Sequence, residues 1–297
     1  GKQHPGAVID VMGYCMGGTL MLPYLARRAE ERLSRGGKMD IRKLALMASP
    51  VRFDDDESGH GQMRSFIRGN YDPGVMNKLF GSVNIPPQSI DFGMNEIQPG
   101  VHYMVLSGFY ERAVQPGAIE DSAPFLYWLT HGTKFPAAAH RDWIGKFFLG
   151  NELVNGTYRL PSTVQALDGQ PVDMEALRRG GVRIFDYRGS RDPIAPSGSC
   201  VASRLWGMRA EGNEGETCGG TNRTVEKKIG HIFVVSRKLL AEYLETVSVF
   251  LDEAECGGEG QKEVENAAPG RSPGRRSRRR GAGGTADQSP PLPPRTS

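Results

Sequence analysis

The feature that most constrains what this chain can fold into is Gly13-Tyr14-Cys15-Met16-Gly17-Gly18. It follows the apolar run Ala7-Val8-Ile9-Asp10-Val11-Met12 and precedes a helix-like segment. A cysteine set among small residues at a strand-to-helix junction reads as a nucleophile elbow, a turn so tight that bulky neighbours cannot pack beside the reacting group. Gly13, Gly17 and Gly18 supply that room. The unpaired N–H groups at the start of the next helix carry partial positive charge and favour a thiolate there. Cys15 is the candidate nucleophile, against the plainer reading of a free cysteine used as a small buried apolar residue.

The flanks set the fold class. Thr19 to Arg35 reads as a helix with Leu20, Tyr24, Leu25 and Leu33 toward a core and Arg27-Arg28-Ala29-Glu30-Glu31-Arg32 toward water. Pro23 predicts a kink in it, and Gly36-Gly37 end it. Lys43 to Ser49 is a short apolar run typical of a strand buried on both faces. Strand, helix, strand in that order predicts an α/β fold, a mostly parallel sheet with flanking helices.

Four segments follow. Residues 1–53 hold the elbow strand, its helix and the next strand. Residues 54–160 change character, with scattered Gly and Pro and aromatic helical pieces such as Phe125-Leu126-Tyr127-Trp128. That is too long for a structureless loop, so a cap or lid insertion is expected. Residues 161–254 return to the α/β pattern: a strand at Val182–Tyr187, a helix at Cys200–Met208, a polar stretch at Gly212–Asn222 read as a mobile insertion, a strand at Thr224–Ile229, and an amphipathic helix at Arg237–Asp252. Residues 255–297 are rich in Gly, Arg, Ser and Pro and are expected to be a disordered tail.

Composition narrows the function. The formal charge of +3 is concentrated in tail arginines such as Arg275, Arg276 and Arg278, so the body presents no basic face and no nucleic-acid partner is expected. The four cysteines, at 15, 200, 218 and 256, lack the paired spacing of a zinc site and do not form a disulfide framework. Asp54-Asp55-Asp56-Glu57 reads as a solvated turn, and no metal is expected. This usage suits a reducing cytoplasm. No run reaches the ~18–20 apolar residues of a transmembrane helix, and no signal peptide opens the chain. Gly1 reads as an internal residue of a longer protein.

The order of candidate residues carries most weight. Cys15 follows an early strand, Asp192 lies in the loop after a later strand, and His231 follows the last strand. Nucleophile, acid, histidine is the chain order of an α/β-hydrolase triad. Histidine takes the proton from the thiol and returns it to the leaving group, while a carboxylate fixes the imidazole tautomer. Asp186 competes for the acid role but lies inside its strand. The other histidines, His4, His60, His102, His131 and His140, are read as terminal, loop or cap residues.

Several segments together resemble the catalytic half of the polyhydroxyalkanoate synthases. They are Gly13–Gly18 with Thr19-Leu20, Phe125-Leu126-Tyr127-Trp128, Phe148-Leu149-Gly150-Asn151-Glu152-Leu153, Ser190-Arg191-Asp192-Pro193-Ile194-Ala195-Pro196 and Gly230-His231-Ile232. The likeness runs over roughly residues 5 to 252. It implies an α/β-hydrolase core, incomplete at the N-terminus, with a large cap insertion and a Cys15–Asp192–His231 triad. It implies (R)-3-hydroxyacyl-CoA as substrate, a polyester as product with CoA released, and no cofactor beyond the CoA thioester itself. It leaves a homodimer and the surface of polymer granules open as partners and a cytoplasmic or granule-bound location open with them. The Met16 backbone N–H would be one oxyanion donor; its partner normally comes from a loop after an earlier strand, which would precede Gly1. Tyr127 and Trp128 would approach substrate. The chain departs from the family pattern at Leu129-Thr130-His131, at Pro193 where histidine is common, and at Ser197 where tryptophan is common. Two other readings stay open. One is a cysteine hydrolase, a thioesterase or a dienelactone-hydrolase-like enzyme; the other is an inactive fragment or granule-associated protein.

Overall fold

The computed structural model describes residues 7–54, 57–80, 83–89, 110, 114, 117, 123, 127, 131–209 and 221–253. Gly1–Cys256 form one compact unit; a second, Gly257–Ser297, falls wholly outside the described residues. The expected disordered tail, most of the expected mobile stretch at Gly212–Asn222, and Trp128 also lie outside them.

The elements run β1 (Ile9–Tyr14), α1 (Met16–Ser34), β2 (Ile41–Met47), α2 (Gly61–Asn70), α3 (Pro73–Phe80), β3 (Asn84–Ile85), β4 (Phe135–Pro136), α4 (Ala137–Asp142), a π-helical segment (Trp143–Leu149), α5 (Ala176–Arg179), β5 (Arg183–Gly189), α6 (Ala202–Leu205), β6 (Arg223–Lys227) and α7 (Arg237–Asp252). Four strands form one sheet in the order β1-β2-β5-β6, with every neighbouring pair parallel. Tyr14 pairs with Met47, Met47 with Tyr187, and Gly189 with Lys227, so the C-terminal ends of all four strands share one rim. In open parallel sheets that rim is where ligands bind.

The central strands show why the sheet is parallel and double-sided. Leu44, Leu46 and Ile184 enter one apolar cluster with Leu22, Leu25 and Ala26 of α1. Ala45, Phe185 and Tyr187 point to the other face, onto Tyr243, Val247 and Phe250 of α7. Side chains alternate along a strand, so residues i and i+1 serve opposite layers and the strand must be apolar throughout. Helix α7 starts where Ser236 Oγ accepts from Leu239 N at 3.5 Å, and it keeps the bounds its periodicity predicts.

Some expectations need correction. In α1 the inward face is Leu22, Leu25, Ala26 and Ala29, while Leu20 and Tyr24 are exposed. Arg27, expected in water, is buried, pairs with Glu30 at 3.0 Å and donates to Gln170 O at 2.6 Å. Helix α1 continues through Pro23. The helix expected at Cys200–Met208 is only α6, because Trp206 is extended and Gly207 adopts φ +73°. Leu244 of α7 is exposed.

Residues 48–182 leave the sheet from β2 and return to the neighbouring β5. Within them β3 and β4 pair antiparallel, and Phe147, Phe148 and Leu153 join the α1 cluster. Arg64 of α2 binds the end of the π-helical segment, donating from Nε to Phe148 O at 2.9 Å and from Nη2 to Leu149 O at 2.7 Å. Among the described residues no helix is long and apolar enough to cross a membrane.

Candidate active site

Cys15 lies between β1 and α1 with φ 52° and ψ −133°, a backbone conformation that costs an L-residue energy and persists only where the surroundings enforce it. The enforcement is visible. Cys15 N donates to Met47 O at 2.8 Å, one residue beyond the Tyr14–Met47 pair, so the elbow is pinned to β2. A Cβ on Gly13 would sit 2.5 Å from Gly18 Cα, and one on Gly18 would sit 2.1 Å from Ser49 Oγ. Strand and helix therefore touch backbone to backbone. Gly17 differs, since a Cβ there would meet nothing within 4 Å. Thr19 locks the first turn, its Oγ1 donating to Pro50 O at 2.6 Å.

Met16 is the first residue of α1, so its N–H has no partner within the helix. It directly follows the thiol, the place from which an elbow donates to a developing oxyanion.

Asp192 follows β5 and His231 follows β6, and both are buried. Asp192 Oδ1 accepts from Ile194 N at 2.9 Å and Ala195 N at 2.8 Å. Its Oδ2 lies 2.8 Å from His231 Nδ1. With Nδ1 committed to the carboxylate, Nε2 is left for the thiol. Burial alone would lower the His231 pKa, but the hydrogen bonds and negative charges of Asp192 and Cys15 outweigh it and raise the value from 6.5 to about 10. The structure thus brings Cys15, Met16, Asp192 and His231 together. Tyr127 is 65% exposed and stacks on His131 with centroids 4.1 Å apart.

The other acid and the other described thiol are occupied elsewhere. Asp186 Oδ2 accepts from Ser203 N at 2.6 Å and Ser203 Oγ at 2.5 Å, and burial pushes its carboxyl up to about 6. Cys200 is buried against Ala48, Ala195 and Tyr14, and that burial pushes its thiol well up. Among the described residues no group of three His, Cys, Asp or Glu side chains could hold a metal ion.

Tyr14 also reaches the imidazole. Its phenol donates to His231 O at 2.8 Å and its ring lies 5.5 Å from the imidazole. Burial, with the charges of Cys15 and Asp192, pushes the phenol far above its ordinary range. Its only sequence signal is its place beside the nucleophile.

No family model matches the chain. It is 25% identical over 189 residues to the poly(3-hydroxyalkanoate) polymerase subunit PhaC of Haloferax mediterranei, covering 63% of this chain and 34% of that protein. Against the subunit of the same name from Haloarcula marismortui it is 24% identical over 263 residues, 88% of this chain and 48% of that protein. The chain is thus similar to curated poly(3-hydroxyalkanoate) polymerase subunits. The Rhizobium meliloti polymerase subunit is 25% identical over 203 residues, 64% of this chain and 28% of its own length. The chain therefore spans less than half the length of each of these polymerase subunits. Among solved structures, a hydrolase from Pseudomonas aeruginosa PA01 aligns with a TM-score of 0.37 at 14% identity, over 82% of this chain and 65% of that one. The α/β hydrolase MGS-M2 from a deep-sea metagenome aligns with a TM-score of 0.37 at 8% identity, over 89% and 70%. The parallel sheet, the elbow after β1, the acid after β5 and the histidine after β6 follow the α/β-hydrolase plan.

Proposed function

We propose that this chain carries the acyl-transfer centre of a polyhydroxyalkanoate synthase, which joins (R)-3-hydroxyacyl units from CoA thioesters into a polyester and releases CoA. The observation that carries the reading is the Asp192–His231 contact at 2.8 Å, with both residues at the same sheet rim as the elbow cysteine. Polymerase names among the relatives supply the substrate class.

The chemistry suits a thiol. His231 holds the proton from Cys15, and the thiolate adds to the thioester carbonyl while Met16 N–H receives the developing oxyanion. The C–S bond to CoA breaks, His231 delivers the proton to the departing sulfur, and the acyl group remains on Cys15. One thioester has replaced another, so the step is nearly balanced. The hydroxyl of a second hydroxyacyl unit then gives its proton to His231 and attacks the acyl carbon. The ester forms, the bond to Cys15 breaks, and the thiol is regenerated. Asp192 keeps the ring oriented and its charge compensated throughout. A reactive thiol of this kind suits the reducing cytoplasm, where we place the enzyme.

Incubation with (R)-3-hydroxybutyryl-CoA should release CoA and form polymer, and Cys15→Ser and His231→Ala should each abolish release. Normal turnover by either variant refutes the triad. Recovery of free hydroxy acid and CoA without polymer assigns the site to thioester hydrolysis instead.

A further inference from the structure

His60, read from sequence as a cap-loop histidine, lies against the acid loop. It immediately precedes α2 and is 1% exposed. Its Nε2 lies 3.0 Å from Ile194 O, 134 positions along the chain. A carbonyl can only accept, so the proton sits on Nε2. Burial lowers the His60 pKa, the Ile194 bond and the Asp192 charge offset part of that, and the Arg64 charge lowers it further, so the ring is neutral.

We propose that His60 is a positioning residue for the triad acid: by holding Ile194 O it fixes the loop that presents Asp192 to His231. The geometry makes Ile194 a lever. Its N–H donates to Asp192 Oδ1 at 2.9 Å while its C=O accepts from His60, so a shift of this one residue moves the carboxylate that holds His231. His60 itself has little freedom. Its ring stacks on Phe53 with centroids 5.3 Å apart and meets Phe148 edge-on at 5.2 Å, and its backbone N–H donates to Ser58 Oγ at 3.2 Å. The preceding residues are pressed onto the same loop. A Cβ on Gly198 would lie 2.1 Å from Glu57 O, and one on Gly59, at φ +82°, would lie 2.8 Å from Pro196 Cβ. Val51 N donates to Ser199 O at 2.9 Å. From the sheet side Arg188 Nη1 donates to Ser197 O and Cys200 O at 3.0 Å each, which secures the far end of the loop, while His60 holds the carbonyl of Ile194. The insertion between β2 and β5 thus reaches the triad acid through a histidine that acts on the loop backbone at Ile194.

The proposal rests on the triad reading, and its test separates the two. His60→Phe keeps an aromatic ring between Phe53 and Phe148 without the donor; His60→Gln returns an N–H donor near the Nε2 position. The readouts are the His231 titration by NMR of labelled histidine, the pH profile of Cys15 alkylation by iodoacetamide, and CoA release from 3-hydroxybutyryl-CoA. In His60→Phe the His231 pKa should fall by about one unit or more. The alkylation profile should move with it, and kcat should drop between tenfold and about a hundredfold with KM little changed. His60→Gln should recover most of each loss. A wild-type His231 titration in His60→Phe, or a Gln variant as impaired as Phe, overturns the proposal. The wild-type protein offers a check independent of variant folding: nitrogen shifts must show His60 as the neutral Nε2–H tautomer, and any other state removes the bond to Ile194. Absence of a raised His231 titration in wild-type protein overturns the triad itself, and the proposal with it.

Discussion

Replacing Asp192 with asparagine separates charge from shape at the centre of the site. Asparagine matches the carboxylate in size, so Ile194 N and Ala195 N keep an acceptor while the negative charge facing His231 Nδ1 disappears. The wild-type His231 pKa stands at about 10 against 6.5, despite burial that opposes the charged ring. At about 1.36 kcal/mol per unit, that is roughly 5 kcal/mol of preference for imidazolium, shared between Asp192 and Cys15. An opposite charge at this range is worth about one to three units. Asp192→Asn should therefore lower the His231 pKa by about that much. The stability profile should change in a defined window. Protonated His231 stabilises the native wild-type protein fully below pH 6.5, and this contribution is lost as pH rises through about 10. In the variant the loss should come at lower pH and be smaller. NMR titration of His231 beside urea unfolding from pH 6 to 10 measures both. A variant whose His231 still titrates near 10 would show that Asp192 is not the source of the shift, and the electrostatic account of the site would fail.

Two further substitutions test the framework. Gly18→Ala forces a Cβ to within 2.1 Å of Ser49 Oγ and 2.9 Å of Leu46 Cδ2, and should cost about 1–3 kcal/mol. Gly17→Ala meets open space and should be neutral or stabilising by up to about 1 kcal/mol; equal melting temperatures for the two variants would contradict the crowding argument. Lys43 is fully buried in β2 and donates to Leu251 O at 2.8 Å and Glu253 O at 2.7 Å, at the end of α7. Lys43→Met should destabilise by about 1–3 kcal/mol in urea unfolding, and an unchanged midpoint would show that those carbonyls do not need it.

What could be read from the chain follows from how local each signal is. The elbow, the acid loop and the Gly230-His231 turn are short stretches where residue type and backbone demand coincide, so their order along the chain was enough to place them near one another. Helix α7 kept its predicted bounds because its apolar stripe and Ser236 cap are both local. The inward face of α1 was misread because Arg27 is buried by partners far away, Gln170 O among them. A pattern that counts arginine as solvent-facing cannot register such a contact. His60 reads as a loop residue for the same reason: its partner is Ile194, and nothing near it in the chain points there. Tyr14 shows the limit from the other side, since its neighbour carries the elbow signal while its own bond runs to His231.

The departure and return of residues 48–182 at adjacent strands has a consequence for how such a chain can vary. Lys43–Met47 pair in register with Arg183–Tyr187, so the two ends of the excursion are held one strand spacing apart beside the elbow and the acid loop. Closing a longer excursion costs only about 0.6 kcal/mol per doubling of its length. The excursion is thus a graft held on two neighbouring stems. Its length can change at small cost, provided the few residues that press on the acid loop are kept.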